Sequence, residues 1–267
     1  MSDYYNGKRS RNIYNPASKE PFKLSRSKID LFLECPRCFY IDIRLGVGRP
    51  PGYPFTLNSA VDNLLKNEFD LLRKSGDTHK IIKDFNVDAK PAEHKMLGEW
   101  RENFKGIRYL DEKHNLIITG AIDDLWINSK NEYIVVDYKA TAKSEPVKEL
   151  TDASHHQSYK KQLEVYQWLL RKSQLKVSEE AYLVYCTGRP NEEKFDACLN
   201  FDINLIMYKG NTDWVEPTIE KMKTTLDSNK LPKFSADCDY CKYVSKRLEV
   251  VEDMSGKKIQ SELFGIS

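Results

Sequence analysis

Charged residues stand inside short apolar runs near the middle of the chain, where a buried strand would have to accommodate them. Asp137 and Lys139 lie two residues apart in YIVVDYK (133–139), and Asp123 follows NLIITGAI (115–122). Ionised groups are costly to bury unless they are paired or bind a metal. The stretch is therefore either an exposed hairpin with ordinary surface charge or a sheet that presents a metal site.

The second alternative has a specific chemistry. Side chains at 137 and 139 of a strand point to the same face, and a turn at 128–132 would bring Asp123 beside them. Paired carboxylates suit Mg²⁺ or Mn²⁺, with the carbonyl of Tyr138 as a further ligand. Such a metal lowers the pKa of a bound water and offsets charge that develops on a phosphate. Lys139 would orient or activate the attacking water, or steady the phosphate charge.

A helix downstream adds two polar groups to this set. Gln162 and Tyr166 in YKKQLEVYQWLL (159–170) are four residues apart and therefore share one helical face. The chain thus contains, in order, Gly120-x-x-Asp123, Asp137-x-Lys139 and Gln162-x-x-x-Tyr166. Each motif alone is weak, but their order and spacing together are fairly specific.

This ordered set resembles the RecB-like branch of the PD-(D/E)XK nuclease superfamily, over about residues 25–247. The resemblance implies a Mg²⁺- or Mn²⁺-dependent exo- or endonuclease that hydrolyses DNA phosphodiester bonds. It also implies that Gln162 and Tyr166 face the active site and help to hold metal or DNA. The family usually has a metal-binding histidine in a G-x-x-x-H setting upstream. The matching stretch here is NSAVD (58–62), so Asp62 stands in the position of the histidine.

Because Asp62 replaces the usual histidine, more than one function remains open for this protein. An aspartate can still bind the hard ions Mg²⁺ or Mn²⁺, which favours Asp62, Asp123 and Asp137 as ligands. Alternatively, Asp62 is a solvated helix residue, and the protein is a nucleic-acid-binding module that has lost catalysis. A structural metalloprotein that docks onto a helicase or a repair complex is a further alternative. Asp124 is not expected to be a ligand, because its neighbour Asp123 has the family position.

Two C-x-x-C pairs lie near the ends of the chain, Cys35 with Cys38 and Cys238 with Cys241. Four cysteines with this spacing can form a tetrahedral zinc site or hold an iron–sulfur cluster. The pairs are about 200 residues apart, so a shared metal would act as a clasp that joins the chain ends and stabilises the fold.

The family resemblance bears on the metal of this clasp. CRISPR-associated exonucleases and helicase-linked nucleases of this family bind a [4Fe–4S] cluster through one N-terminal cysteine and a C-terminal C-x-x-C-x5-C group. Here Arg247 occupies the last cysteine position, and Cys38 looks like the replacement. The resemblance implies a [4Fe–4S] cluster, with zinc as the alternative. Cys186 and Cys198 fall in candidate strands and are expected to pack in the core.

Basic and aromatic side chains near these motifs suit a nucleic-acid substrate, although packing or ordinary surface exposure is the alternative for each. The resemblance implies DNA, single-stranded or with free ends, and a helicase or CRISPR-adaptation protein as partner. The candidate phosphate contacts are Arg37, Lys143, Lys148, Lys160 and Lys161, and the candidate stacking residues are Phe39, Tyr40, Tyr138 and Tyr159.

Apolar periodicity predicts the elements that must position these groups. Ser27 resembles the cap of the first helix, and Pro36 should end it. The order of elements favours an α/β fold in which helices flank a mixed central β-sheet, a restriction-endonuclease-like core. Helices are expected at 25–34, 57–73, 91–104, 156–172 and 215–226, and strands at 115–122, 124–128, 133–139, 181–187 and 195–203.

Bulk composition limits the remaining possibilities. The 267 residues include 42 Lys and Arg against 40 Asp and Glu, so any basic surface must be local. No apolar run approaches the roughly 18 residues that span a membrane. The N-terminus lacks the apolar core of a signal peptide, so we expect a cytoplasmic protein with reduced thiols. The expected parts are a flexible arm (1–20), the nuclease domain with its clasp (21–250) and a tail (251–267).

Overall fold

Two β-sheets form the centre of the fold in the computed structural model, which describes residues 7–52 and 56–255. The first sheet has the order β1-β4-β3, with β1 parallel to β4 and β3 antiparallel to it. Its strands are β1 (Phe22–Ser25), β3 (Ile107–Asp111) and β4 (Leu116–Gly120).

The second sheet contains the hairpin with the charged residues. Its order is β2-β5-β6-β7-β8, in which only β6 and β7 are parallel. Helices flank both sheets, so the expected mixed α/β fold is confirmed, although its strands are divided between two sheets. The strands are β2 (Lys90–Pro91), β5 (Asp124–Ile127), β6 (Tyr133–Ala142), β7 (Glu180–Gly188) and β8 (Phe201–Lys209).

Four of the five expected helices are confirmed to within two residues at each end. The prediction of a helix at 91–104 is wrong, since only Leu97–Trp100 is helical there and Pro91 belongs to a strand. Two longer helices, α2 and α8, were not predicted. The helices are α1 (Arg26–Glu34), α2 (Pro36–Leu45), α3 (Thr56–Ser75), α4 (Lys80–Asp84), α5 (Leu97–Trp100), α6 (Ser154–Lys172), α7 (Val215–Asp227) and α8 (Asp239–Ser255).

The predicted strand at 195–203 is also wrong for most of its length. Strand β8 begins only at Phe201, and Asp196 and Ala197 have φ angles of 43° and 55°. A positive φ angle lies in the left-handed region and interrupts a strand, even where alternating apolar side chains predict one. Phe195, which would have faced the core, is 73% exposed.

The junction between α1 and α2 positions the first cysteine pair. Helix α1 begins after Ser25, which makes no capping hydrogen bond through its side chain, so the expected cap at Ser27 is wrong. Pro36 ends α1 as expected, but it also opens α2 at the first helical position, where a missing N–H costs nothing. This tight connection buries Cys35 between the two helices and places Cys38 in the first turn of α2.

Helix α6 packs against both sheets and depends on a glycine for its close approach. A Cβ at Gly120, the last residue of β4, would lie 2.8 Å from Tyr166 Cε1 and 2.9 Å from Leu169 Cδ1. Any larger residue would displace the helix, because Tyr166 and Leu169 are both buried and have no room to move aside. The glycine of Gly120-x-x-Asp123 therefore places Tyr166 at the end of β4.

Parts of the expected N-terminal arm contact the folded body. Arg9 forms an ion pair of 2.7 Å with Asp42 of α2, and the buried Tyr14 donates a 2.6 Å hydrogen bond to Asp227 of α7. The beginning of the arm (1–6) and most of the expected tail (256–267) lie outside the described residues, and the domain boundaries stay a prediction. Within the described ranges, no helix is both long and apolar enough to cross a membrane.

Candidate functional site

The β5–β6 hairpin brings the two aspartates together as its spacing predicts. The turn closes with a 3.1 Å hydrogen bond from Asn128 N–H to the carbonyl of Glu132, and Asp124 pairs with Val136 in the antiparallel register. Asp123 therefore lies beside Asp137, and its Oδ2 accepts the N–H of Tyr138 at 2.9 Å.

Asp137 is the most deeply buried carboxylate of this group, with 1% of its side chain exposed. Its Oδ2 forms an ion pair with Lys139 Nζ, but neither oxygen has hydrogen-bond geometry with any other described residue. Burial raises the pKa of Asp137 to about 7; Lys139 lowers it and the neighbouring Asp123 raises it. Lys139 compensates the charge, but the oxygens of this buried carboxylate still lack a hydrogen-bond donor of good geometry among the described residues, so the position also suits a metal ion.

Lys139 is held by side chains from α6. Its Nζ donates a 3.2 Å hydrogen bond to Gln162 Oε1 and lies 4.7 Å from the centre of the Tyr159 ring. Gln162 Nε2 in turn donates to Tyr166 Oη at 3.0 Å. Burial raises the pKa of Tyr166, so its hydroxyl remains protonated. The structure thus joins Asp137, Lys139, Gln162 and Tyr166 in one continuous polar chain.

Helix α3 brings Asp62 to the same place. Asn58 Nδ2 at the start of this helix donates a 2.7 Å hydrogen bond to the carbonyl of Ala140, which ties α3 to the end of β6. Asp62 is 28% exposed, and burial, followed by the charge of Asp123, raises its pKa. Asp62 is therefore partly buried near Asp123, and we call Asp62, Asp123 and Asp137 the carboxylate cluster; the role of Asp62 as a metal ligand stays a prediction.

Lys66 is a charged residue of this site that belongs to none of the sequence motifs. Its Nζ lies 2.7 Å from Asp62 Oδ2 and 3.3 Å from Asp123 Oδ1. The available signal was its spacing of four residues from Asp62, which is typical of a helical ion pair. The contact with Asp123 joins residues far apart in the chain, so no local pattern could indicate it.

Asp124 belongs to a separate network of ion pairs and hydrogen bonds, and the choice of Asp123 as the metal ligand stays a prediction. Its fully buried carboxylate pairs with Arg73, accepts from Arg101 Nη2 at 2.6 Å and from Tyr138 Oη at 2.8 Å. Arg101 Nε also donates to the carbonyl of Asp123 at 2.9 Å, so this network holds the backbone on which the site is built.

Most of the candidate stacking residues are part of the core. Phe39, Tyr40 and Tyr138 are 0%, 5% and 6% exposed, so the expectation that they stack on bases is wrong; Tyr159 is only partly buried. Arg37 is also buried, donates from Nε to the carbonyl of Pro232 at 2.8 Å and stacks on Phe234. This placement in the cysteine region argues against Arg37 as a phosphate contact.

Basic residues do surround the beginning of α6. Lys143 is exposed, and Lys160 and Lys161 are partly exposed. Burial lowers the pKa of His156 at the first turn of α6, and the charges of His155, Lys143 and Lys160 lower it further, which places both lysines near it. Tyr159, on which the Lys139 ammonium lies, is one turn further along this helix. A contact between these lysines and nucleic acid stays a prediction.

The two cysteine pairs converge although they are at opposite ends of the chain. Cys38 Sγ lies 3.5 Å from both Cys238 Sγ and Cys241 Sγ, and Cys35 Sγ lies 3.8 Å from Cys241 Sγ. All four sulfur atoms lie within 4.8 Å of one another, and such a group can hold a metal ion. Of the other two cysteines, Cys186 is buried as expected, but Cys198 is exposed and its expected core position is wrong.

The surroundings of the cysteine cluster favour the thiolate of Cys35, whereas burial raises the pKa of Cys38 to about 11 and raises the pKa of Cys241 well above its ordinary value. Although burial raises the pKa of Cys35, hydrogen bonds from the backbone N–H groups of Cys38 and Ser235 lower it to about 7. Arg49 donates from Nη2 to Cys238 Sγ at 3.4 Å, and its guanidinium lies 4.4 Å from the centre of the Tyr240 ring. Backbone donors and a guanidinium compensate the charge of metal-bound sulfur.

Comparison with known proteins identifies the superfamily of this chain. A family model of the PD-(D/E)XK nuclease superfamily matches residues 56–245, and the chain belongs to this superfamily. The matched region contains the whole carboxylate cluster and the second cysteine pair. The crystal structure of SSO0001 is similar at 16% sequence identity, covering 85% of this chain and 84% of the other, with a TM-score of 0.37. No curated protein matches the sequence significantly.

Proposed function

We propose that this protein is a Mg²⁺- or Mn²⁺-dependent deoxyribonuclease that hydrolyses phosphodiester bonds with water as the nucleophile. The observation that carries this proposal is the buried Asp137, whose oxygens face Lys139 and Asp123 but have no hydrogen-bond donor of good geometry among the described residues. Asp123 and Asp137 would hold the metal, with Asp62 as an oxygen ligand in place of the family histidine. A bound divalent ion would supply Lewis acidity and a more acidic water.

The remaining residues of the site act on the substrate and on one another. The Lys139 ammonium is next to Asp137 and would bind the scissile phosphate or orient the attacking water. Gln162 holds this ammonium through Oε1, and Tyr166 fixes the orientation of Gln162 by accepting from Nε2. Because its side chain is already held in place, the Lys139 ammonium could act at the reacting phosphate without first changing its position.

The substrate proposed is DNA, single-stranded or with free ends. Lys143, which follows β6, and Lys160 and Lys161 in the first half of α6 support a phosphate backbone approaching along this helix towards Tyr159. The motif resemblance further suggests the biological context. We propose that the protein acts in the cytoplasm in DNA repair or CRISPR adaptation, together with a helicase or an adaptation protein.

A cleavage assay tests the proposal directly. Purified protein with Mn²⁺ or Mg²⁺ should cut labelled linear DNA, and EDTA should stop the reaction. Asp137→Asn, which keeps the shape but removes the charge, should lower the rate at least ~1000-fold, as expected when a metal site is lost. Cleavage of linear but not circular DNA would assign an exonuclease. Metal-independent cleavage, or DNA binding without cleavage, would contradict the proposal, and the second result would favour the binding-module alternative.

For the cysteine cluster we propose one structural zinc ion in place of the [4Fe–4S] cluster that the motifs imply. Zinc–sulfur bonds of about 2.3 Å set sulfur–sulfur distances of about 3.8 Å in a tetrahedron. Three sulfur–sulfur contacts of 3.5 to 3.8 Å, with all four sulfurs within 4.8 Å of one another, support a single ion. A [4Fe–4S] cluster places four irons and four sulfides between the thiolates and therefore needs sulfurs farther apart. Four thiolates leave no open position for substrate, as in closed structural sites.

Divalent metal binding at the carboxylates should depend on pH because of Asp137. Its raised pKa of about 7 means that a proton competes with the metal below neutral pH and not above it. The affinity for Mn²⁺ should therefore increase roughly tenfold between about pH 6 and about pH 8. Calorimetric or EPR titration of Mn²⁺ at the two pH values measures this change. A carboxyl with an ordinary pKa of about 3.9 would give a constant affinity over this range, and that result would contradict the prediction.

A further inference from the structure

A second lysine enters the carboxylate cluster from α3. Lys66 Nζ bridges Asp62 Oδ2 at 2.7 Å and Asp123 Oδ1 at 3.3 Å, and only 19% of its side chain is exposed. Lys139 pairs with Asp137 at the same time. Each of the three carboxylates is thus compensated by an ammonium group of this chain.

This arrangement is more than a surface ion pair between neighbouring turns of a helix. An exposed pair at that spacing contributes about 0.3–0.5 kcal/mol, and a lysine on a helix normally extends its ammonium into water. Lys66 instead turns inward and reaches Asp123, a residue from the loop before β5. The contact with Asp123 therefore places the charge of Lys66 within the carboxylate cluster.

An ammonium and a divalent ion cannot both occupy this position. Mg²⁺ requires oxygen ligands at about 2.0–2.1 Å in near-octahedral geometry. The Lys66 nitrogen already lies between the two oxygens that such an ion would use. A metal shared by Asp62 and Asp123 would therefore place two positive charges where one already lies, and the ammonium would have to leave.

We propose that Lys66 is a built-in counter-cation, which holds Asp62 and Asp123 together without metal and is displaced from Asp123 when a divalent ion binds. This inference rests on the proposed function, because it requires that these carboxylates bind a metal. Lys66 is a positioning residue that weakens metal binding while keeping the cluster assembled. Once displaced, its ammonium remains next to the site, on a flexible stem that can reach an incoming phosphate.

The test is the affinity for Mn²⁺, measured by EPR of the free ion, in the full-length protein. Lys66→Gln should bind Mn²⁺ roughly tenfold more tightly than the wild type, because a positive charge next to the ion is removed. Lys66→Arg, which keeps the charge, should bind no more tightly than the wild type. Lys83→Gln, on the exposed face of α4, is the matched control and should leave the affinity unchanged. Lys66→Met provides a second neutral variant if Lys66→Gln folds poorly.

The possible outcomes separate this inference from the proposed function. Unchanged or weaker Mn²⁺ binding in both neutral variants overturns the role of Lys66. If the wild type nevertheless cleaves DNA with Mn²⁺, the nuclease proposal stands and only the counter-cation fails. If neither the wild type nor the neutral variants bind Mn²⁺, the carboxylate metal site fails and the inference fails with it.

Discussion

Replacing Lys139 with methionine is expected to lower the rate of metal-dependent DNA cleavage at least ~1000-fold while the fold persists. The expected loss is large because the ammonium lies next to the candidate metal ligand Asp137 and is held by Gln162 Oε1. Methionine keeps an unbranched stem of similar length in the same space, so packing against Tyr159 is preserved. The measurement is the single-turnover rate with saturating Mn²⁺, accompanied by a thermal melt.

Metal affinity distinguishes a chemical role of Lys139 from a structural one. Lys139→Met should bind Mn²⁺ at least as tightly as the wild type, since it removes a positive charge from the site. A variant that loses both cleavage and Mn²⁺ binding would indicate a damaged site. Lys83→Met is the control for an exposed lysine and should cleave normally. Cleavage by Lys139→Met at the wild-type rate would exclude a catalytic role for this residue.

Replacing Cys238 with serine is expected to remove the metal of the cysteine cluster and to lower the free energy of unfolding by at least about 3 kcal/mol. For a chain of this size, this corresponds to a decrease in Tm of roughly 6–12 °C. The physical reason is that the metal bonds join residues about 200 positions apart, so the loss frees both ends of the chain. Thermal melts and metal analysis of the purified proteins measure the two effects.

The exposed Cys198 provides a matched control for this experiment. Cys198→Ser makes the same chemical change outside the cluster and should alter neither Tm nor metal content. Wild-type protein should be colourless and contain about one zinc per chain. Brown protein with iron would contradict the zinc proposal and restore the [4Fe–4S] alternative. If neither zinc nor iron is found and all four thiols titrate freely in the folded protein, the cluster binds no such metal.

Those features of the site that depend on short-range geometry were predictable from the amino-acid sequence. The side-chain alternation of a strand places residues 137 and 139 on one face, and the turn after Asn128 is short enough to set the register of the hairpin. Helical periodicity likewise places Gln162 and Tyr166 together. Each relation is decided within about one turn or one hairpin, so spacing alone predicts it. Apolar alternation failed at 195–200, where backbone conformation and not side-chain polarity decides the structure.

The contacts between elements that are distant in the chain were not predictable from the sequence, because they depend on how the whole chain packs. The packing of α3 against the end of β6 brings Asp62 and Lys66 to Asp123, and no local signal encodes that approach. The space left by Gly120 decides how closely α6 approaches the sheet. The two C-x-x-C motifs predicted a shared centre, but the distances between their sulfur atoms, on which the choice of metal depends, follow from how both chain ends pack. Contacts between distant segments arise from the sum of many packing interactions, so they become visible only once the whole chain is folded.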